Sequence, residues 1–417
     1  MTQKKIILCC IALLFLVKAT AQNVSSPYSI LGIGDIENND YGRYSASGSA
    51  TVARREAGFY NFSNPASLTI MPYKAINLDF GLRGRVSKFN LPGTDTLTKP
   101  TKDFIVKRVT LAFKVTPKVA FAFGLKPYSS ANYKYTTNTA LNDGNTDLIK
   151  YADGSGGMYQ TYFSLAKAFS KHLSVGGTAS WLFGSMQNTT EYYNGLIALD
   201  VIKTEDKFYN AAGFQGGLQY YSLPGKQWQH AIGLTASVFT KLKGQNTATY
   251  TEGGATIKTP DPVDITFKLP VSFSAGYSIA NNGGLSLHLQ GSYSKWPSQN
   301  LYYQNSFTKD AYNLNAGMEY SNATKVGNYS IEKYYLGWGA KMEQSYIVVN
   351  NQHLNDYAVT FGGGKNLTNL LSASASIEVG KRGSAALSQI KENYFQFNVG
   401  FTLKDIWYGT KRFGRYN

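Results

Sequence analysis

From Ile76 to Leu403 apolar and polar residues alternate with a period of two, segment after segment. Ile76, Leu78, Phe80 and Leu82 are apolar, while Asn77, Asp79, Gly81 and Arg83 between them are small, polar or charged. The last segment repeats the pattern, with Phe395, Phe397, Val399, Phe401 and Leu403 set against Gln396, Asn398, Gly400 and Thr402. A period of two puts successive side chains on opposite faces of a strand. Many strands that are greasy on one face and polar on the other are stable together in a bilayer only as a closed β-barrel, in which every backbone group is paired.

About fourteen such segments can be counted, near residues 75–87, 104–115, 119–131, 158–168, 173–184, 208–221, 228–240, 268–279, 285–294, 311–320, 334–342, 356–363, 371–380 and 394–403. Their lengths suit membrane strands of about 9–11 residues. The fourth is the least regular. Six short turns alternate with seven long polar loops, near 88–103, 132–157, 185–207, 241–267, 295–310, 343–355 and 381–393. Short turns on the periplasmic side and long loops outside are the arrangement of outer-membrane barrels, and the count gives an even strand number with both termini in the periplasm. The predicted fold is therefore all-β, a transmembrane antiparallel barrel of about 14 strands spanning 74–403, followed by a basic periplasmic tail at 404–417.

Ahead of the barrel, Lys4 and Lys5, the apolar run Ile6 to Val17 and the small residues Ala19-Thr20-Ala21 predict a secretory signal peptide over 1–21. Both cysteines, Cys9 and Cys10, fall inside it. A lipoprotein box is the rival reading, but cleavage before Cys9 would discard only half of the apolar core. Residues 22–73 are rich in Gly, Ser and Asn, without a sustained period. A barrel this wide leaks unless something fills it, so the segment is expected to fold inward as a plug; a disordered tail is the alternative.

Composition narrows the reading. Mean hydropathy of −0.25 looks soluble, as it does for barrels whose strands are half polar. The 31 tyrosines suit interfacial girdles, with Tyr220, Tyr221, Tyr302, Tyr303, Tyr334, Tyr335, Trp407 and Tyr408 near strand ends; a soluble β-sandwich array would use tyrosine as freely. Formal charge is +16, and loss of Lys4, Lys5 and Lys18 with the leader lowers it by three to +13. No basic helix or basic-aromatic motif points to nucleic acid, so anionic lipid headgroups or an anionic ligand are the better partners.

Three groups of residues carry candidate chemistry. Asn64-Pro65-Ala66, followed by Ser67, combines a capping side chain with a residue of fixed φ, which ends one element and redirects the chain into the first strand. Pro127 removes a ladder donor within or at the end of the third segment. Tyr192, Leu196, Leu199 and Val201 in the loop 185–207 trace one apolar face of a short helix, a surface for capturing greasy ligands or for packing on the loop itself. By parity Asp79, Arg83, Arg85, Arg108, Lys114, Lys126, Glu319 and Glu378 face the lumen; Arg83, Arg85, Arg108 and Lys126 are candidate contacts for a ligand carboxylate, or members of wall-to-wall ion networks. The four histidines have no metal-ligand spacing, and no metal or cofactor is expected. His288 and Ser286 share a strand face but have no acidic orienter, so catalysis is not expected.

Ser26-Pro27-Tyr28-Ser29, Gly32-Ile33-Gly34-Asp35 and Asn64-Pro65-Ala66-Ser67, with Leu269-Pro270-Val271-Ser272-Phe273-Ser274-Ala275-Gly276, Trp296 and Glu378-Val379-Gly380-Lys381-Arg382-Gly383, resemble the long-chain fatty acid transporter (FadL-type) family in order and spacing. The resemblance implies a fourteen-stranded outer-membrane barrel with an N-terminal hatch, a kinked third strand that opens the wall sideways near Pro127, and a capture groove on the loop after strand five. It implies a monomer in the outer membrane of a diderm bacterium, surrounded by outer-membrane lipids, passing hydrophobic small molecules such as long-chain fatty acids or aromatic hydrocarbons passively inward. A barrel of this type can also serve as a non-transporting subunit of an outer-membrane secretion or assembly complex, with protein partners there, because fold does not fix function.

Overall fold

The computed structural model describes residues 26–37, 42–90, 100–140, 147–194, 197–223, 227–301, 306–326, 329–384 and 389–406. The predicted leader, most of the predicted tail, Leu196, Tyr302, Tyr303, Trp407 and Tyr408 lie outside the described residues.

Fourteen antiparallel strands form the wall: β1 (Ala75–Asn90), β2 (Thr101–Lys114), β3 (Val119–Ser130), β4 (Asp147–Ala168), β5 (Leu173–Asn194), β6 (Ile197–Tyr221), β7 (Trp228–Phe239), β8 (Val271–Asn281), β9 (Leu285–Lys295), β10 (Ala311–Val326), β11 (Tyr329–Val349), β12 (Gln352–Asn366), β13 (Leu371–Arg382) and β14 (Lys391–Ile406). Each pairs with the next, and β14 closes on β1 from Ala75↔Ile406 to Asn90↔Lys391. The alternation has its predicted consequence. Leu234, Phe273, Leu289, Leu314, Val359 and Phe397 are exposed outward, while Asp79, Arg83, Arg108, Lys114, Glu319 and Glu378 are buried on the lumen side.

Two expectations about the loops need correction. The segment around Tyr192 to Val201 is no helix: β5 runs on to Asn194 and β6 resumes at Ile197, and the two pair through Tyr192↔Val201. The period-two signal that defines the barrel continues into the hairpin and outweighs the short apolar spacing read as helical. Strands β4, β5 and β6, of 22, 22 and 25 residues, are about twice the length a bilayer requires. They rise outside it as a blade, widened by strands Tyr133–Ala140, Leu242–Glu252 and Val263–Phe267 inside segments expected to be loops.

The described residues from Ser26 to Tyr73 lie inside the barrel. They form three 3-10 turns, Pro27–Ile30, Arg43–Ser47 and Pro65–Ile70, and a two-residue strand, Asp35–Ile36. At the outer end Tyr28, Leu31 and Ile33 join Tyr128, Met158, Leu182, Trp296 and Ile347 in one apolar cluster. Lower down, inward glycines let the plug backbone press against the wall. A Cβ on Gly317 would lie 2.1 Å from the Ser47 carbonyl oxygen, and one on Gly233 equally close to that of Val52.

Candidate functional site

Asn64 anchors the lower plug. Its Oδ1 caps the 3-10 turn by accepting from the Ala66 N–H at 3.1 Å, and its Nδ2 donates to the carbonyls of Val52 at 2.9 Å and Leu218 at 3.2 Å. Pro65 opens the turn, where its missing donor costs nothing. The Ser67 hydroxyl donates back to the Asn64 carbonyl at 2.8 Å. Asn64 and Ala66 are fully buried. Gly176 and Gly217 on β5 and β6 make room: a Cβ on Gly176 would lie 2.7 Å from the Ala66 nitrogen.

Arg43 and Arg54 tie the plug to the opposite wall. Both reach Glu319 on β10, Arg54 Nη2 at 2.7 Å, and Arg43 also pairs with Glu332 on β11. The Arg43 guanidinium lies 4.0 Å over the Tyr335 ring. All three members of the central cluster, Arg43, Arg54 and Glu319, are buried; Glu56, less buried, also pairs with both arginines, and losing Glu319 would leave two guanidinium groups under-compensated in a low-dielectric interior.

Near Pro127 the wall itself is interrupted. Strands β2 and β3 pair from Lys114↔Ala120 to Val109↔Leu125 and no further. Beyond that point β3 continues through Lys126 and Pro127 to Ser130, paired to β4 with an irregularity between Pro127 and Ser129. Among the described residues, the outer half of β2, Thr101 to Arg108, pairs only with β1 on its other side. The edge that β3 turns away from β2 is taken by the plug: Asp35 pairs with Ser130, Ile36 with Ser129, and the Glu37 N–H donates to the Tyr128 carbonyl at 2.9 Å. Pro127 thus stands within β3, two residues past its last pair with β2, and not at its end.

A buried ion cluster fills the inner side of this gap. Glu37 of the plug pairs with Arg83 of β1 at 3.0 Å and with Lys107 of β2, and Arg83 also pairs with Asp103. Burial alone would raise the Glu37 carboxyl, but Arg83 and then Lys107 outweigh it and hold it at about 2. Parity in β2 assigns Lys107 to the lipid face; a bulge there, with Gly81 opposite Arg108 and Leu82 opposite Val106, turns both Lys107 and Arg108 inward. A bulge leaves no reliable sequence signal, and neither Lys107 nor Glu37 was legible as part of a site.

The other candidates separate. Arg108 pairs with Asp79. Arg85 pairs with Glu392 at 2.7 Å and stacks 3.7 Å over Tyr394, and Lys126 Nζ sits 3.8 Å over the plug residue Phe62. Lys126 also borders a lumen cavity of about 220 Å³, between Ile36, Phe62 and Tyr128 on one side and a wall of Ser180, Ser237, Ser274 and Ser292 on the other. Tyr192 and Val201 lie side by side near the tip of the β5–β6 hairpin; Leu199 belongs to β6, with its side chain outside the described residues. His288 is buried between two hydroxyls, Ser278 on Nδ1 at 2.7 Å and Ser286 on Nε2 at 3.0 Å, so both ring nitrogens are engaged without a carboxylate.

Comparison with known proteins places this architecture. The profile of a family described as BamG matches residues 1–414. Nothing among curated proteins matches the chain. Among solved structures it is similar to the CymD monoaromatic hydrocarbon channel, at 13% identity over 88% of this chain and 98% of that one, TM-score 0.57. It is similar to a Pseudomonas aeruginosa FadL homologue, at 12% identity over 90% and 100%, TM-score 0.57, and to the Pseudomonas putida toluene transporter TodX, at 15% identity over 90% and 100%, TM-score 0.55. The shared fold is the closed antiparallel outer-membrane barrel anticipated from the sequence.

Proposed function

The chain belongs to the BamG family, and from that premise and the geometry of its wall we propose that it passes hydrophobic small molecules across the outer membrane by a lateral route. The observation that carries this reading is the separation of β3 from β2 beyond Leu125, with the freed edge held by Asp35, Ile36 and the Glu37 N–H of the plug. Ligands land on the outer hairpin around Tyr192 and Val201, enter the lumen cavity beside Lys126, and leave through the gap when the plug strand releases β3. A cavity of about 220 Å³ is smaller than the 300 Å³ or so typical of drug-sized ligands, which favours single-ring hydrocarbons over long acyl chains. The similarity to CymD and TodX supports the same substrate class.

The test is a reversible lock. Beyond Cys10 the chain has no cysteine, and Ile36 and Ser129 are direct register partners, close enough in an antiparallel pair for a disulfide. Ile36→Cys/Ser129→Cys should take up toluene at the wild-type rate when reduced and lose uptake when oxidised. Uptake that is indifferent to oxidation would sink the lateral route.

A second reading is favoured by the buried Arg43–Glu319–Arg54 cluster, which fixes the plug across the lower lumen. In it the barrel is a closed, non-transporting subunit of an outer-membrane secretion or assembly complex. Stoichiometric recovery of partner proteins from detergent-solubilised outer membranes, with no toluene uptake by the wild type, is its expected signature.

A further inference from the structure

The lipid face of β6 to β11 carries a groove that the transport reading does not use. It has a volume of about 920 Å³ and is lined by Leu234, Ala236, Phe273, Ala275, Gly291 and Leu314. The hollow exists because small residues replace large ones at neighbouring outward positions, Ala275 lying opposite Gly291 in the ladder. A Cβ on Gly291 or Gly216 would meet nothing within 4 Å.

Above the groove, at the outer ends of these strands, stand five exposed lysines: Lys241, Lys243, Lys268, Lys295 and Lys309. Register and neighbouring residues set the direction of three of them. Lys295 is paired with outward Val271, and Lys243 with Asn210, two residues from outward Phe208. Lys268 follows inward Phe267 and is braced by Gln299, whose side-chain amide bonds its backbone N–H and carbonyl at 2.8 and 2.9 Å. Three acids share the rim. Asp310 is committed to the Tyr293 hydroxyl at 2.6 Å and the Trp296 N–H at 3.0 Å, Asp264 accepts from Gln245 at 3.3 Å, and Asp261 is exposed. None of the five lysines has an ion pair among the described residues. Lys295 is four residues from Gly291, roughly 13 Å along the strand, the scale that separates a headgroup from the acyl layer. The hydroxyl of Tyr293 marks the interface between them.

We infer that this face is a binding site for a phosphate-bearing, multiply acylated lipid of the outer leaflet, its phosphates on the lysine rim and its chains in the groove. Charge decides the occupant. An apolar hollow alone would take any acyl chain, but compact ammonium groups gathered at headgroup depth select phosphate.

The experiment uses the full chain purified in detergent, with native mass spectrometry to count bound lipid. The probes are a bis-phosphorylated acylated glucosamine disaccharide, the same lipid after phosphatase treatment, and inorganic phosphate as competitor. The wild type should retain the phosphorylated lipid at least about tenfold better than the dephosphorylated one, consistent with a contribution from each surface lysine. Lys243→Glu/Lys268→Glu/Lys295→Glu should abolish that preference, whereas Lys88→Glu/Lys381→Glu, over a neighbouring groove, should not. Gly291→Leu/Ala236→Leu should reduce retention of both lipids by filling the hollow. Equal retention of the two lipids by the wild type, an unaffected triple lysine variant, or displacement by inorganic phosphate alone would each overturn the assignment. Melting temperature checks that the variants fold, and their side chains are all outward.

Discussion

Gly217 admits Asn64 to the barrel wall: a Cβ on Gly217 would lie 2.2 Å from Asn64 Oδ1 and 2.9 Å from Pro65 Cδ. The plug motif and a glycine far along the chain are therefore one structural unit. Gly217→Ala should cost about 1–3 kcal/mol through forced displacement of the plug, read as a lower melting temperature. The plug should become protease-sensitive while the barrel band stays heat-modifiable. Unchanged protease resistance would show that Asn64 is not seated as described.

Glu319 is the shared partner of Arg43 and Arg54. Glu319→Ala leaves Arg43 with Glu332 and Glu56, and Arg54 with Glu56, but takes from both their one fully buried carboxylate and should destabilise by about 3 kcal/mol. Adding Arg43→Met and Arg54→Leu removes the buried positive charge that the two part-exposed glutamates no longer balance and should recover much of the loss. Calorimetry of the single and triple variants makes the comparison, and a triple variant no better than the single would contradict it.

Glu37 titrates in the folded protein at about 2, below its ordinary 4.5. A depressed carboxylate contributes stability that is present above its unfolded pKa and is lost as pH falls through the folded one. The melting-temperature difference between wild type and Glu37→Gln should therefore persist down to about pH 5, shrink below that, and vanish below pH 2. A difference that shrinks from pH 8 to 6 would mean that another group sets it.

Ser274 and Ser292 are register partners that face the lumen cavity together. Ser274→Leu/Ser292→Leu should fill the cavity, leaving the barrel folded and lowering toluene uptake severalfold. Wild-type uptake in this variant would move the route away from the cavity.

Much of the architecture was legible because a membrane barrel obeys a local rule. Each strand must alternate, so period and turn spacing gave the strand count, the lipid face and the inward placement of Glu319 and Arg83 without knowledge of any contact. The same rule, carried past the membrane, makes Tyr192 and Val201 register partners in a hairpin where an apolar spacing had suggested a helix. Asn64-Pro65-Ala66 and Pro127 stood out as interruptions, since a cap and a missing donor are local properties too.

Tertiary structure alone decided what those interruptions do. Asn64 seats on Gly217, the edge of β3 pairs with Asp35–Ile36, and a bulge turns Lys107 from the lipid face toward Glu37. The lumen cations that were candidates for a ligand found carboxylates on the adjoining strands and the plug, or the face of a plug aromatic. Periodicity encodes which face a side chain takes; which residue meets it there depends on ring closure and on where the plug lies, and neither is a property of neighbouring residues in sequence.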